Sequence, residues 1–269
     1  MKLDQRVAVV TGAGSGIGRA IALALANRGC ALALADINGA RLSETSAMTT
    51  GLGAYTSCHV LDVASREAVA GMPKAIAKAH GRVDLLINNA GVALGGTFEQ
   101  IDEADFDWLM SVNFDGLVRM TRAFLPLLRA SDEARIVNVS SMFGIIAPPG
   151  QTAYCASKFA VRGFSNALRH ELAGTRVGVT VVHPGGVDTR IARDARVPES
   201  ASAQEVEEGR NAVQKLLRMP AEKAANIIVR AIEADRSRVL VGFDAVVASW
   251  LERLFPVAYW RLLAASAGL

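Results

Sequence analysis

The stretch "TAYCASK", residues 152–158, sets Tyr154 and Lys158 four positions apart. On a helix that spacing puts both side chains on one face, where they can act on a single ligand. A free tyrosine has a pKa of about 10 and is a poor base at neutral pH. A neighbouring ammonium favours the phenolate and lowers that value. Bringing the phenol down by ~3 pH units takes roughly 4 kcal/mol of differential stabilisation. Tyr154 would then remove the proton of an alcohol and, in reverse, protonate an alkoxide; positioned proton transfer is worth about 10²–10⁴ in rate. Ser141, in "VNVSSMFG", stands where it could donate a hydrogen bond to the same oxygen. The alternative for the whole stretch is a surface helix that happens to carry a tyrosine.

An alcohol carbon that becomes a carbonyl must also release hydride, and a second cluster offers a place for the acceptor. "TGAGSGIGRA" crowds Gly12, Gly14, Gly16 and Gly18 into a turn after an apolar run. Glycine lets the backbone turn tightly and lets a phosphate approach the amides at a helix N-terminus. The spacing is TGxxxGxG, through Gly12, Gly16 and Gly18, and not the commoner GxGxxG. Asp36 closes "ALALAD", near the ~20-residue offset at which a carboxylate meets an adenosine ribose. A carboxylate there accepts from both ribose hydroxyls and repels a 2′-phosphate. Ile37 follows and no arginine intervenes before Arg41, which favours NAD over NADP. The positive ring of oxidised NAD would add to the ammonium in lowering the Tyr154 pKa. Asp36 could instead serve only as a turn or capping residue. In "LDVAS", Asp62 could hydrogen-bond an adenine amino group with Val63 packed on the ring, or Asp62 could only begin a helix. "INNAG" places Asn89, Ala90 and Gly91 in a polar, small-residue turn suited to cofactor contact.

The elements that must position these groups alternate along the chain. Apolar or β-branched runs at 7–10, 32–35, 54–61, 83–87, 135–139, 177–182 and 239–241 read as strands. Helix-like stretches at 16–29, 39–50, 65–80, 103–130, 152–174 and 221–234 lie between them. Nearly all-apolar strands belong to a parallel sheet covered on both faces, so the pattern predicts one α/β, Rossmann-like, doubly wound sheet of seven parallel strands. Ligands of such sheets bind beyond the carboxyl ends of the strands, which is where the glycine turn, Asp36, Asn89 and Ser141 fall.

Composition narrows the function classes. The 269 residues are 51% hydrophobic and 20% charged, enough to bury a large core. A net charge of +3 without a long basic run argues against nucleic-acid binding. Cys30, Cys58 and Cys155 are scattered, with no CxxC pair and no histidine cluster, so neither disulfides nor a metal site is expected. Reduced thiols, no secretory pattern and no apolar run of ~20 residues lead to the expectation of a cytoplasmic protein.

TGxxxGxG at 11–18, NNAG at 88–91, Ser141 and YxxxK at 154–158, in that order, resemble the single-domain branch of the short-chain dehydrogenase/reductase family from about residue 4 to residue 242. The resemblance implies catalytic roles for Ser141, Tyr154 and Lys158, with Lys158 also holding the nicotinamide ribose. It implies that Asn113, in "MSVNFDG", kinks its helix and holds a water in a proton relay. A dinucleotide cradle of Gly12, Ser15, Gly16, Ile17 and Gly18 follows from it, as do contacts over the nicotinamide from Pro184, Val187 and Thr189 in "HPGGVDT". Gly186 stands where many relatives carry a larger residue. Residues 188–220 are expected to form a substrate lid, and homodimers or homotetramers are the expected assemblies.

Two segments shape the expected substrate. "MFGIIAPPG", 142–150, is mostly apolar and suits a hydrophobic ketone or secondary alcohol, although Met142 or Ile145 could pack into the core. The tail 243–269 departs from a typical family ending; Val246, Val247, Trp250, Leu251 and Leu254 make an apolar helical stripe that Pro256 interrupts. Self or subunit packing, a cover over the pocket, and a membrane-surface contact are the three readings of it. The leading function is an NAD-dependent oxidoreductase of a hydrophobic secondary alcohol or ketone. A 3-oxoacyl-thioester reductase and a non-catalytic NAD-binding regulator are the alternatives.

Overall fold

The computed structural model describes residues 1–198, 200–201 and 203–267. The apolar runs form the strands. β1 (Val7–Thr11) is buried along its whole length and leads through the glycine turn into α1 (Gly16–Ala26). β2 (Ala31–Asp36), α2 (Gly39–Gly51), β3 (Thr56–Val60), α3 (Arg66–His80) and β4 (Leu85–Asn88) complete the first half. α4 (Glu103–Met110), α5 (Gly116–Ala130), β5 (Ala134–Val139), α6 (Thr152–Glu171) and β6 (Val177–Pro184) follow. After β6 come a two-residue pair, β7 (Val187–Asp188) and β8 (Met219–Pro220), with α7 (Ala203–Leu216) between them. α8 (Ala221–Glu233), β9 (Arg238–Val241), α9 (Phe243–Leu254) and α10 (Tyr259–Ala267) close the described chain.

Seven strands form one parallel sheet in the order β3-β2-β1-β4-β5-β6-β9. The winding reverses between β1 and β4, and a crevice opens beyond the strand ends at such a reversal. One core layer packs α1 and α8 against the sheet through residues such as Ile21, Leu25 and Ile228. The other packs α3 and α5 through Ile76, Met120 and Phe124.

Two details give the sequence reading its geometry. The helix expected over 103–130 is broken by a π-helical turn at Ser111–Asp115, centred on the buried Asn113. Its cause is a non-local contact: Asn113 Oδ1 accepts from Val92 N at 2.8 Å and Nδ2 donates to Val92 O at 3.0 Å. The tail turns back on its own chain. Ala248, Tyr259 and Leu263 pack on Ile145 and Ile146, and Ala147 N donates to Tyr259 Oη at 3.0 Å. The last two residues of the tail, and Glu199 and Ser202 of the expected lid, lie outside the described residues.

The opposite end of the sheet is pinned by Asp84, just before β4. Its Oδ2 accepts from Val7 N at 2.9 Å and its Oδ1 from Ser131 Oγ at 2.6 Å, with the guanidinium groups of Arg6 and Arg82 alongside. Asp84 is wholly buried, so its charge is held only by these partners. Asp84→Asn is expected to destabilise the fold by roughly 1–3 kcal/mol, because it mispairs the Val7 amide and the Ser131 hydroxyl and leaves Arg6 and Arg82 to the exposed Asp132. Urea unfolding would show this as a lower midpoint at unchanged slope; an unchanged midpoint would show that the network contributes nothing.

Candidate active site

The glycine turn is shaped by its neighbours at the ends of β1, β2 and β4. Gly12 (φ +63°) and Gly16 (φ +53°) adopt left-handed backbone that other residues rarely take. A side chain at Gly18 would overlap the Gly12 carbonyl, so α1 starts flush against the turn. Asn89 Nδ2 donates to Thr11 O at 3.0 Å and Gly12 O at 3.2 Å, while the amides of Asn89 and Ala90 donate to Thr11 Oγ1. Asn89 and Ala90 therefore brace the turn. Thr11 is the hub of this bracing, and its signal was the threonine that opens the TGxxxGxG motif.

The turn suits a dinucleotide. α1 begins at Gly16, so the first amides, those of Gly16, Ile17 and Gly18, have no partner within the helix. Ser15 precedes it in extended backbone and its side chain makes no capping bond. Asp36 Oδ2 accepts from Gly14 N and Oδ1 from Asn38 N, both at 2.8 Å, leaving a lone pair on each oxygen for a ribose hydroxyl. The nearest cations are committed elsewhere: Arg41 pairs with Asp194 at 3.3 Å, and Arg19 pairs with Glu44 at 2.7 Å. Both charges are partly offset, which weakens their pull on a 2′-phosphate.

At the end of β3 the structure separates Asp62 from Val63. Asp62 is exposed and accepts from Ala64 N at 2.8 Å, while Ser65 caps α3. Val63 is buried in the core with its side chain against Gly116, which corrects the expectation that it packs on an adenine ring. The apolar surface at this edge comes from Ile37 and Val60, 69% and 70% exposed. Val60 was missed because a strand-end valine reads as core.

The Tyr154 face is assembled by α6 and β5. Burial raises the Tyr154 phenol to about 12, against the opposing pull of a hydrogen bond with the Ser141 side chain. Lys158 is buried; its Nζ lies 5.5 Å from the Tyr154 ring centroid and donates to Val139 O at 3.3 Å. Burial pushes this lysine down to about 8. The sequence reading expected a lowered tyrosine; in the protein alone the desolvation cost dominates and the shift is upward. Both hydrogens of the Asn113 side-chain amide are used, by Val92 O and by Ser157 Oγ at 3.1 Å, so none is left for a relay water. Gly91 sits between this group and the lysine: a Cβ there would lie 3.1 Å from Asn113 Oδ1 and 3.4 Å from Lys158 Nζ.

β6 brings the remaining expected contacts to the same crevice. Pro184 ends the strand, Val187 is buried in β7, and a Cβ at Gly16 would lie 3.1 Å from the Thr189 methyl. The Gly186 amide donates to Asp244 Oδ2 at 2.6 Å, a contact from the tail that sequence reasoning did not find. Leu94 bridges to Arg196, and Arg196 stacks over Trp108 at 3.5 Å, docking the start of the expected lid beside the site.

Comparison with known proteins agrees with this geometry. Residues 6–200 match the short chain dehydrogenase family. The chain is 44% identical to SadH of Mycobacterium tuberculosis over 97% of its own length and 95% of the relative's. It is 34% identical to the 3-oxoacyl-[acyl-carrier-protein] reductase FabG of Thermotoga maritima over 75% of its length and 81% of that protein's. A short-chain dehydrogenase/reductase of Burkholderia phymatum, solved in complex with NAD, superposes with a TM-score of 0.88 at 32% identity, covering 94% of this chain and 95% of that one. With its parallel sheet, its glycine turn and a match over most of its length, this chain belongs to the short-chain dehydrogenase/reductase family.

Proposed function

We propose that the protein is an NAD-dependent oxidoreductase that interconverts a hydrophobic secondary alcohol and its ketone, with Tyr154 as general acid/base. The observation that carries this reading is the convergence of the Ser141 and Tyr154 hydroxyls above a buried Lys158, at the strand ends beside the glycine turn. NAD, when bound, supplies the hydride acceptor and a positive ring charge. Gly12, Ser15, Gly16, Ile17 and Gly18 would hold its pyrophosphate, Asp36 its adenosine ribose, and Asn89, Ala90 and Gly91 would back the turn. Pro184, Val187 and Thr189 would cover its nicotinamide end.

The proton chemistry belongs to the chain. Tyr154 Oη takes the alcohol proton in oxidation and returns it to the alkoxide in reduction. Ser141 Oγ donates to the substrate oxygen and holds it in line with Tyr154. Lys158 is the cation that offsets the phenolate, and its lowered value means that this charge weakens above about pH 8. Asn113 acts as a positioning residue: it fixes Val92 and Ser157 around the lysine, and a relay water would donate to one of its carbonyl oxygens rather than accept from its side-chain amide. The partly buried apolar side chains beside Tyr154, Val92 and Phe143, favour a hydrophobic substrate. A 3-oxoacyl thioester is the second reading, supported by the similarity to the Thermotoga reductase and opposed by the carboxylate of Asp36.

Following nicotinamide absorbance with NAD, NADP and graded secondary alcohols, ketones and 3-oxoacyl thioesters tests the reading. Turnover should be fastest with NAD and larger apolar alcohols; exclusive use of NADP with thioesters would replace the first reading by the second. Tyr154→Phe should lower kcat by about 10²–10⁴ while NAD still binds; a variant that keeps wild-type kcat would remove Tyr154 from the mechanism. Asp36→Asn should weaken NAD binding and narrow the NAD-to-NADP preference, read as the ratio of kcat/KM values.

Lys158 also leaves a stability signature. Its folded value lies below its unfolded value, so the unfolded chain binds the extra proton between about pH 8 and the ordinary lysine value of 10.5. Stability contributed through this group therefore rises with pH across that window. Lys158→Met should be more stable than the wild type near pH 7, and the difference should shrink from pH 8 to pH 10. A difference that stays constant with pH would show that the ammonium carries no burial cost.

A further inference from the structure

At the β9 edge of the sheet a cavity of about 410 Å³ opens between α6, β6 and β9. Arg162 and Arg169, seven positions apart on α6, line one wall, and Arg238, at the start of β9, lines another. None of the three forms an ion pair among the described residues. Arg162 Nη1 donates to Gly144 O at 3.3 Å, Arg169 Nη1 to Asn166 Oδ1 at 3.2 Å, and Arg238 Nη2 to Ser249 Oγ at 3.0 Å. Each guanidinium carries five N–H groups, so most of the donors in this cavity remain available. From α9, Glu252 attracts Arg238 and Arg253 repels it, so the local charge stays positive.

His183 gives the cavity a second character. The residue is wholly buried on β6, and its Nδ1 lies 3.0 Å from Ser141 O. A carbonyl only accepts, so Nδ1 carries the proton and Nε2 is left as an acceptor. Nε2 has no hydrogen-bond partner. The cavity is therefore lined by several cationic donors and by a histidine whose one acceptor, a buried atom, lacks a donor. Sulfate and carboxylate offer only acceptors. Hydrogen phosphate offers both: anionic oxygens for the arginines and a P–OH for the histidine.

We infer that this cavity binds a hydrogen phosphate group, either as the free ion or as a small phosphomonoester. Arg162, Arg169 and Arg238 take its charge and His183 Nε2 accepts from its hydroxyl. The contact between His183 and the Ser141 carbonyl joins the site to the loop that carries Ser141.

Histidine-selective ring NMR on the full chain provides the test, since there are four histidines and only His183 lines this cavity. Inorganic phosphate, glycerol phosphate and sulfate would be titrated separately at constant ionic strength and at about pH 6, where a phosphomonoester keeps much of its P–OH. His183→Gln identifies the signal. Saturable movement of the His183 signal by phosphate or by glycerol phosphate, at lower concentration than by sulfate, is expected; the tighter of the two names the source. Arg162→Gln and Arg238→Gln should each weaken the effect by about tenfold. No saturable movement, equal affinity for sulfate, or unchanged affinity in both arginine variants would overturn the inference. So would a phosphate effect seen only as dissociation of an oligomer, which would assign the arginines to a carboxylate of a second copy.

Discussion

Everything at the Tyr154 face depends on how α6 is fixed against β5. Asn138, wholly buried on β5, donates to Ser165 on α6 at 2.9 Å and accepts from Asn88 on β4 at the same distance. Asn88 also donates to Thr121 on α5 at 3.0 Å, so one chain of buried amides and hydroxyls runs from helix to helix through the sheet. Two turns nearer the site, Ser140 Oγ donates to Lys158 O at 2.8 Å. Gly144 lets this happen, because a Cβ there would overlap both the Ser140 hydroxyl and the Lys158 carbonyl. Buried polar groups are costly unless partnered, so such a chain tolerates few other placements of the helix.

That rigidity permits an electrostatically unfavourable site. Lys158 is an ammonium removed from water with one carbonyl at 3.3 Å, and its value falls to about 8 as a result. Tyr154 is shifted the other way by the same burial. In the protein alone, the two groups favour a neutral phenol beside a weakened cation, and their charged forms gain only when opposite charge enters the crevice. The site is thus better matched to a charged ligand than to solvent.

The fold was legible because its physics is one-dimensional in sequence. Parallel strands buried on both faces must read as apolar runs, and β1, β2 and β5 do. The glycine turn and the Tyr154–Lys158 spacing were legible for a similar reason, since a turn and one helical face are set by neighbours in the chain. What escaped the sequence depends on distant partners. The family resemblance implies a kink at Asn113 but not its partner Val92, the β7 and β8 pair joins segments 32 residues apart (187 to 219), and self-packing of the tail was one reading while the Ala147 amide that holds it was not foreseen. The direction of the Tyr154 shift escaped because charges can be read from a sequence but burial cannot. The burial of Val63 and the exposure of Val60 escaped for the same reason.

The tail changes the argument for a hydrophobic substrate. In the sequence, 142–150 supplied the apolar wall. In the structure Ile145 and Ile146 are buried beneath α9 and α10, where they meet Ala248, Tyr259 and Leu263 and are withdrawn from any pocket. The apolar character around Tyr154 comes instead from Phe143, whose ring meets the tyrosine edge-on at 6.2 Å, and from the partly buried Val92 on the loop after β4. The proposed hydrophobic preference therefore rests on two loops: Asn113 fixes the first through Val92, and the tail fixes the second through Ala147. While Tyr259 supports the inner side of the tail, Trp250, Leu254 and Val257 stay exposed on its outer side. An apolar face of that kind calls for cover. In a homodimer or homotetramer that buried it, the contact would bear on α9 and α10, and through them on the 143–147 loop that packs against Tyr154.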